Sequence, residues 1–338
     1  MPQHVSYAKF CTKPWEELVV YPNGEYSICC GGPPVGKIRH AAEIKDLWNN
    51  PTILQYRENL NNGFEFGICT NCIYHGTLRN TSGKDRMGQP RDIHQPRIPI
   101  ISFGLTDQCN LSCFMCGVSQ KYKGINRKTK AARLPLDYCR EFATHHFVNA
   151  DGVNTNCFGE IFLYPNLRNF LQLLKEHRPK VFTTTTTSGS LPVPPKLWRL
   201  VMDSHDHLTF SIDTNDKALH RIIRGFDFEI FERNIRTVQH LCTTEYPQFK
   251  YGCSVVLMKL TIASLYDTLR QVHEEYGCRL FNLQHVSGFP SQSLAKEKQW
   301  RAFSNAKLAQ CLGYMKRHGI TSNGEIGYFR DEAGNVEA

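Results

Sequence analysis

From residue 98 onward, short apolar runs alternate with stretches whose apolar residues recur every three or four positions. The runs at 98–105, 152–155, 181–186, 208–213, 251–257 and 280–286 have the length and β-branched content of strands. Between them lie helical patterns. One spans 136–147 and another 195–202. Leu167, Phe170, Leu171 and Leu174 form an apolar stripe, as do Phe228, Phe231, Ile235, Val238 and Cys242. Leu265, Leu269, Val272 and Tyr276 form a further one, stopped by Gly277. A last helix is expected over about 294–317. Strand and helix in strict alternation predict a parallel sheet with crossover helices. Six such units fit an α/β fold of the open, partial (βα)6 TIM-like barrel type. Ligands of parallel α/β folds bind at the C-terminal strand ends. Those ends carry Cys109, Cys113 and Cys116, then Gly159-Glu160, then Asp213.

The first 75 residues have a different texture. Leu18–Tyr21 and Tyr26–Ile28 flank Pro22-Asn23-Gly24, a hairpin whose turn needs glycine. Two short helices follow, over 41–48 and 51–60, the second with proline at its first position. Residues 76–97 are polar, carry Gly and Pro and have no period, which marks a boundary. The expected division is an α+β cysteine-bearing module over 1–80, a linker over 81–97, the barrel over 98–290, and a C-terminal helix and tail over 291–338.

Composition narrows the chemistry. The 338 residues are 41% apolar without an uninterrupted apolar run of the ~18 residues that a membrane span needs. The start, Met1-Pro-Gln-His-Val-Ser-Tyr, lacks a secretory pattern, so a cytoplasmic chain is expected. Fourteen cysteines then point to metal rather than disulfides. Cys109, Cys113 and Cys116 fall on a loop directly after a strand, where all three sulfurs can turn to one point. Three thiolates are one short of the set that closes an iron–sulfur cluster, which leaves one iron open for a ligand. Cys11, Cys29, Cys69 and Cys72 supply a full set of four, which suits zinc or an iron–sulfur cluster equally well. A net charge of +9, much of it in 121–133, is compatible with an anionic partner such as nucleic acid.

Cys109-x-x-x-Cys113-x-Met115-Cys116 resembles the defining motif of the radical S-adenosylmethionine superfamily, with methionine where an aromatic residue is usual. Cys157-Phe158-Gly159-Glu160 resembles its Gly-Gly-Glu-like segment for the methionine ammonium, with Phe158 in place of one glycine. Ser211-Ile-Asp213 resembles its ribose-contacting segment. Residues 11–75 resemble the auxiliary-cluster modules called SPASM or Twitch, through Cys11 before Pro-Trp, Gly24 before Cys29, the Ile44–Trp48 segment, Arg57 and Cys69-x-x-Cys72. The module precedes the barrel here, whereas it usually follows it. No further cysteine lies in 74–80, so one auxiliary cluster is expected, with Cys30 a spare ligand beside Cys29.

The resemblance implies an enzyme with a [4Fe–4S] cluster on Cys109, Cys113 and Cys116 that cleaves S-adenosylmethionine. The resulting 5′-deoxyadenosyl radical takes hydrogen from a substrate C–H. Met115, Gly159, Glu160, Ser211 and Asp213 would contact the cofactor. Cys11, Cys29, Cys69 and Cys72 would hold an auxiliary [4Fe–4S] or [2Fe–2S] cluster. Electrons would come from an external donor such as flavodoxin or ferredoxin. The substrate would be a peptide, sugar or natural-product intermediate, with epimerisation, oxidation or cross-linking as outcomes. Cys157 and Cys253 stand where a hydrogen-donor thiol could. A nucleotide or nucleic-acid substrate, or a zinc-bound protein without catalysis, are the alternatives.

Overall fold

The computed structural model describes residues 12–29, 34–62, 91–116, 131–286, 289–295, 297–322, 328–329 and 336. The chain divides into two compact units. The first comprises Met1–Asp107, Ala131–Gly159 and Tyr164–Thr183; the second comprises Gln108–Lys130, Glu160–Leu163 and Thr184–Ala338.

In the first unit a short helix α1 (Lys13–Glu16) leads into strands β1 (Glu17–Val20), β2 (Glu25–Ser27) and β3 (Gly36–Lys37). These pair antiparallel in sequence, with Gly24 at φ 80° turning the β1–β2 hairpin. The hairpin does not stand apart. β1 pairs in parallel with β4 (Ile100–Phe103), from Glu17↔Ile100 to Val20↔Phe103, and β4 pairs with β5 (Gly152–Asn154). The predicted helix over 41–48 is a run of 3-10 turns, Ala41–Asn49, burying Ile44, Leu47 and Trp48. Helix α2 (Pro51–Asn61) is capped by Asn50, whose side chain accepts from Ile53 N at 2.9 Å. It buries Arg57 completely. Arg57 donates to Pro14 O at 2.9 Å, Ile93 O at 2.7 Å and Asn49 Oδ1 at 3.2 Å, and stacks on Trp48. Trp15 Nε1 donates to Asp92 O at 2.9 Å. Residues 91–95, the end of the expected linker, are thus tied to the cysteine module. Helices α3 (Leu136–His145) and α4 (Leu167–Glu176) cover the sheet through Phe142 and Phe170, both against Phe103.

The second unit takes in most of β6 (Phe182–Thr187). It then runs through helix α5 (Pro195–Ser204), β7 (His207–Ser211), α6 (Lys217–Arg224), α7 (Phe228–Thr244), β8 (Lys250–Leu257), α8 (Leu265–Tyr276), β9 (Leu280–His285), α9 (Lys298–His318) and β10 (Thr321–Ser322). Strands β6 to β10 pair in chain order, all parallel. Alternation along each strand gives the sheet two faces. Leu208, Phe210, Cys253, Val255, Leu257, Phe281 and Leu283 pack into one core with Trp198, Phe231, Ile235, Val238 and Leu269 of the helices. The opposite face presents Thr184 and Thr186, Thr209 and Ser211, Ser254 and Val256, Asn282 and Gln284. Gly252 sits in this sheet because an ideal Cβ there would lie 2.1 Å from the Leu280 carbonyl oxygen. Among the described residues no helix is long and apolar enough to cross a membrane.

Candidate active site

The cysteine loop, Glu160, the end of β6, the end of β7 and helix α6 all belong to the second unit. The loop folds on itself at its last two cysteines, with Cys116 N donating to Cys113 O at 3.1 Å. Leu111 N approaches Cys109 Sγ at 3.5 Å. Cys113 is buried; Cys109, Met115 and Cys116 are partly buried against the helix-side core. None of the ten described cysteines is in a disulfide.

Glu160 is tied to this loop at its main chain, donating N–H to Gln108 O at 2.8 Å. Its side chain turns to the end of β6. Thr187 Oγ1 donates to Oε1 at 2.8 Å, and Ser188 donates to Oε2 from its main chain at 3.0 Å and its hydroxyl at 2.7 Å. Burial pushes this carboxyl up, and the bonds from Ser188, Thr187 and Phe162 draw it back. The polar chain continues. Ser188 Oγ lies 2.7 Å from Ser190 Oγ, which both accepts from and donates to the Asn110 amide, at 3.0 and 3.1 Å. Asn110 follows Cys109, so a run of hydrogen bonds links Glu160 to the cysteine loop. Gly189 makes the bend at φ 67°, where an added Cβ would meet Phe210 and Phe231. Asn234 of α7 fixes the bend from beneath, donating to Gly189 O and Leu191 O at 2.8 Å each. Ser188, Ser190, Asn110 and Asn234 are absent from the sequence-derived site. The Ser-Gly-Ser directly after a threonine-rich strand was the available signal.

Asp213 closes the end of β7. It is fully buried, accepting Val256 N on Oδ1 at 2.9 Å and Arg224 Nε on Oδ2 at 2.7 Å. The sequence assigns this carboxylate to a ribose; in the structure both its oxygens are engaged within the protein. Ser211, two residues earlier, lies on the open polar face beside Ser254. Arg224 ends helix α6, which starts at the Asp216 cap (Oδ1 to Leu219 N, 2.9 Å) and stops at Gly225, φ 81°. The last turn of α6 touches the cysteine loop twice. Phe114 N donates to Ile223 O at 3.0 Å, and Cys113 Sγ lies 3.9 Å from Arg224 O. Burial pushes the Cys113 thiol up, and the Arg224 guanidinium beside it works in the opposite direction.

The remaining sequence-derived residues fall as follows. Gly159 has φ 66°. Phe158 stacks on Tyr21 at 5.0 Å and fills the space over Gly104, where an added Cβ would meet its ring. Cys157 is half-buried. Cys253 is on the helix side, 3.8 Å from Cys278, and does not reach the open face. Cys29 is described, with Cys29 N donating to Ser27 Oγ at 3.3 Å. Cys11, Cys30, Cys69 and Cys72 lie outside the described residues.

Three thiols on one turn, with a main-chain N–H at one sulfur and a guanidinium at another, suit an iron–sulfur cluster. Among the described residues no three His, Cys, Asp or Glu side chains converge as they would on one metal ion. A multi-iron cluster spreads its thiolates wider than a single ion does.

The family model described as the Radical SAM superfamily matches residues 104–272, half of the chain. The iron-sulfur cluster-binding domain SPASM matches residues 11–73. No curated protein matches the chain. Among solved structures, anSMEcpe with bound AdoMet is similar at TM-score 0.51 and 15% identity, covering 67% of this chain and 61% of that one. SuiB of Streptococcus suis bound to S-adenosylmethionine gives TM-score 0.49 and 18% identity, covering 67% of this chain and 49% of SuiB. The chain thus spans about half the length of SuiB. The anSMEcpe likeness places the parallel sheet among partial TIM-like barrels.

Proposed function

The chain belongs to the radical S-adenosylmethionine superfamily, and from that premise we propose that it acts on a neutral, polar substrate of peptide type. It is an enzyme, and its domains call for a [4Fe–4S] cluster, S-adenosylmethionine and an auxiliary iron–sulfur cluster, which sets aside a zinc-bound protein without catalysis. When bound, the reduced [4Fe–4S] cluster would supply the one electron that cleaves the sulfonium C–S bond of S-adenosylmethionine, the source of the radical for hydrogen abstraction. Cys109, Cys113 and Cys116 are assigned to the cluster, and Cys11, Cys29, Cys69 and Cys72 to the auxiliary one. Gly159 and Glu160 form the segment for the methionine end of the cofactor, the Glu160 carboxylate acting through the Ser188 loop it holds. Ser211 is assigned to the ribose and the Met115 main chain to the adenine. An external flavodoxin or ferredoxin is the electron donor in this reading. The division into a cluster module over 1–80, a linker over 81–97, a barrel over 98–290 and a C-terminal segment over 291–338 belongs to the same proposal.

The observation that carries the substrate class is the open face of the sheet. Thr184, Thr186, Ser211, Ser254, Asn282 and Gln284 line this face with hydroxyls and amides, and among its described residues the one ammonium, Lys250, sits exposed at the strand's first position. Uncharged donors and acceptors match peptide amides or sugar hydroxyls and leave a phosphate without a countercharge. anSMEcpe has been solved with AdoMet and the Kp18Cys peptide, so this fold can seat a peptide. The test is 5′-deoxyadenosine release by anaerobically reconstituted, reduced enzyme with peptide pools, oligosaccharides or oligonucleotides. Stimulation by peptides is expected. Stimulation by oligonucleotides alone would transfer the chain to the nucleic-acid reading.

A further inference from the structure

Helix α6 delivers a buried cation to the cysteine loop. Arg224 and Asp213 are 8% and 0% exposed, and the pair is closed at 2.7 Å. A buried ion pair gives little net stability, because both ions must leave water. Its retention beside three thiols therefore points to a role for the charge itself. Nε is committed to Asp213, and the residue that carries it lies against Cys113, whose sulfur is 3.9 Å from Arg224 O. As a thiol, Cys113 can direct its S–H to Arg224 O at 3.9 Å. As a thiolate ligand it would have no hydrogen to give, and the neighbouring guanidinium charge would favour it.

We propose that Arg224, anchored on Asp213, is a positioning residue that sets the reduction potential of the cluster held by Cys113. The inference rests on the assignment of Cys109, Cys113 and Cys116 as cluster ligands. A donor and positive charge at a ligand sulfur favour the reduced, more negative cluster, so they raise its potential. Asp213 has the opposite sign and limits the rise. The pair thus acts as a dipole with its positive end at the sulfur.

The test is an EPR-monitored redox titration of the reconstituted full chain, without substrate. The signal that changes on adding S-adenosylmethionine identifies the cluster being titrated. Arg224→Gln should move its midpoint negative by at least about 59 mV, a tenfold change in the one-electron equilibrium. Asp213→Asn, which can still accept from Val256 N, leaves the guanidinium uncompensated and should move the midpoint positive. The double variant should return toward the parent, and Arg224→Lys should stay nearer the parent than Arg224→Gln. Opposite shifts in the two single variants are the signature of charge; a loosened fold would move both the same way. Shifts of one sign, or none, overturn the inference. Where Arg224→Gln fails to hold iron, Asp213→Asn and Arg224→Lys decide: a negative or absent shift in Asp213→Asn overturns it. Iron content of the Cys109→Ala, Cys113→Ala and Cys116→Ala variants reads the ligand assignment separately. Retention of the cluster there overturns the assignment, whereas its loss with unmoved midpoints overturns the inference alone.

Discussion

Replacing Glu160 separates a carboxylate that holds the protein from one that holds the cofactor. Glu160 accepts three bonds from Thr187 and Ser188. In Glu160→Ala the Ser188 hydroxyl can turn to Ser190, 2.7 Å away, but Ser188 N–H and the Thr187 hydroxyl lose their acceptor. Two orphaned buried donors cost roughly 2–6 kcal/mol, a large share of a domain's stability. In Glu160→Gln the amide oxygen can still accept both Ser188 bonds, and its NH2 can donate to Thr187 Oγ1. The lost charge assistance is offset by removing a buried charge, which leaves a change within about 1 kcal/mol. Urea unfolding followed by circular dichroism reads the first quantity, and anaerobic S-adenosylmethionine binding by equilibrium dialysis reads the second. Glu160→Ala should lose both stability and cofactor affinity, while Glu160→Gln should keep stability and lose less than tenfold in affinity. An unfolding midpoint unchanged in Glu160→Ala would refute the structural role. An unchanged midpoint with abolished binding in Glu160→Gln would make Glu160 a direct contact to the ammonium.

Three further outcomes are expected. His220 is fully buried, both ring nitrogens lack a hydrogen-bond partner, and burial, with Arg224 nearby, holds it down at about 4. The unfolded chain therefore takes up the proton first, and stability falls as pH drops from about 6.5 toward 4. The loss from this residue alone is about 2 kcal/mol between pH 7 and 5. His220→Leu should flatten the acid limb of the unfolding midpoint by that amount, and an unchanged limb refutes the assignment. Gly252→Ala forces a methyl onto the Leu280 carbonyl and should destabilise by about 2 kcal/mol or more, read as a lowered urea midpoint. The KM for substrate should change less than twofold between 50 and 300 mM salt, both about the range where screening is strong, whereas a phosphate-bearing substrate would lose affinity steeply.

The six strands were legible because each is a short apolar or β-branched run, set between helices whose apolar residues repeat with a period near 3.6. The cysteine loop was legible because its chemistry is local. Helix α6 was not. Its sequence, Lys-Ala-Leu-His-Arg-Ile-Ile-Arg, buries His220 and Arg224 and exposes Ile222, which inverts the polarity that a periodicity argument relies on. Its Asp216 cap and Gly225 stop were present but unremarkable without that stripe. The Ala41–Asn49 segment has the same apolar spacing for an α-helix as for 3-10 turns, so spacing could not distinguish them. The parallel pairing of β1 with β4 and the bonds from Glu160 to Ser188 join distant residues. No local pattern encodes either.

A basic chain need not have a basic site. On the helical exterior of the second unit several cations are matched: Arg199 with Glu245, Lys217 with Glu229 and Glu232, Arg221 with Asp227, Arg236 with Glu275. Such exposed pairs contribute little energy, but they place the charge on the solvent side of the helices. The sheet face opposite presents hydroxyls and amides in register, Thr186 beside Thr209, and Ser211 beside Ser254 beside Asn282. Among the described residues near the cysteine loop the strong charges are spent internally, Arg224 on Asp213, and Glu160 on Thr187 and Ser188. A net charge of +9 is a sum over the whole chain and does not by itself describe the charge of one face. In the proposed reading the substrate meets, among the described residues, a face of hydroxyls and amides, and such a face selects by the spacing of amides or hydroxyls.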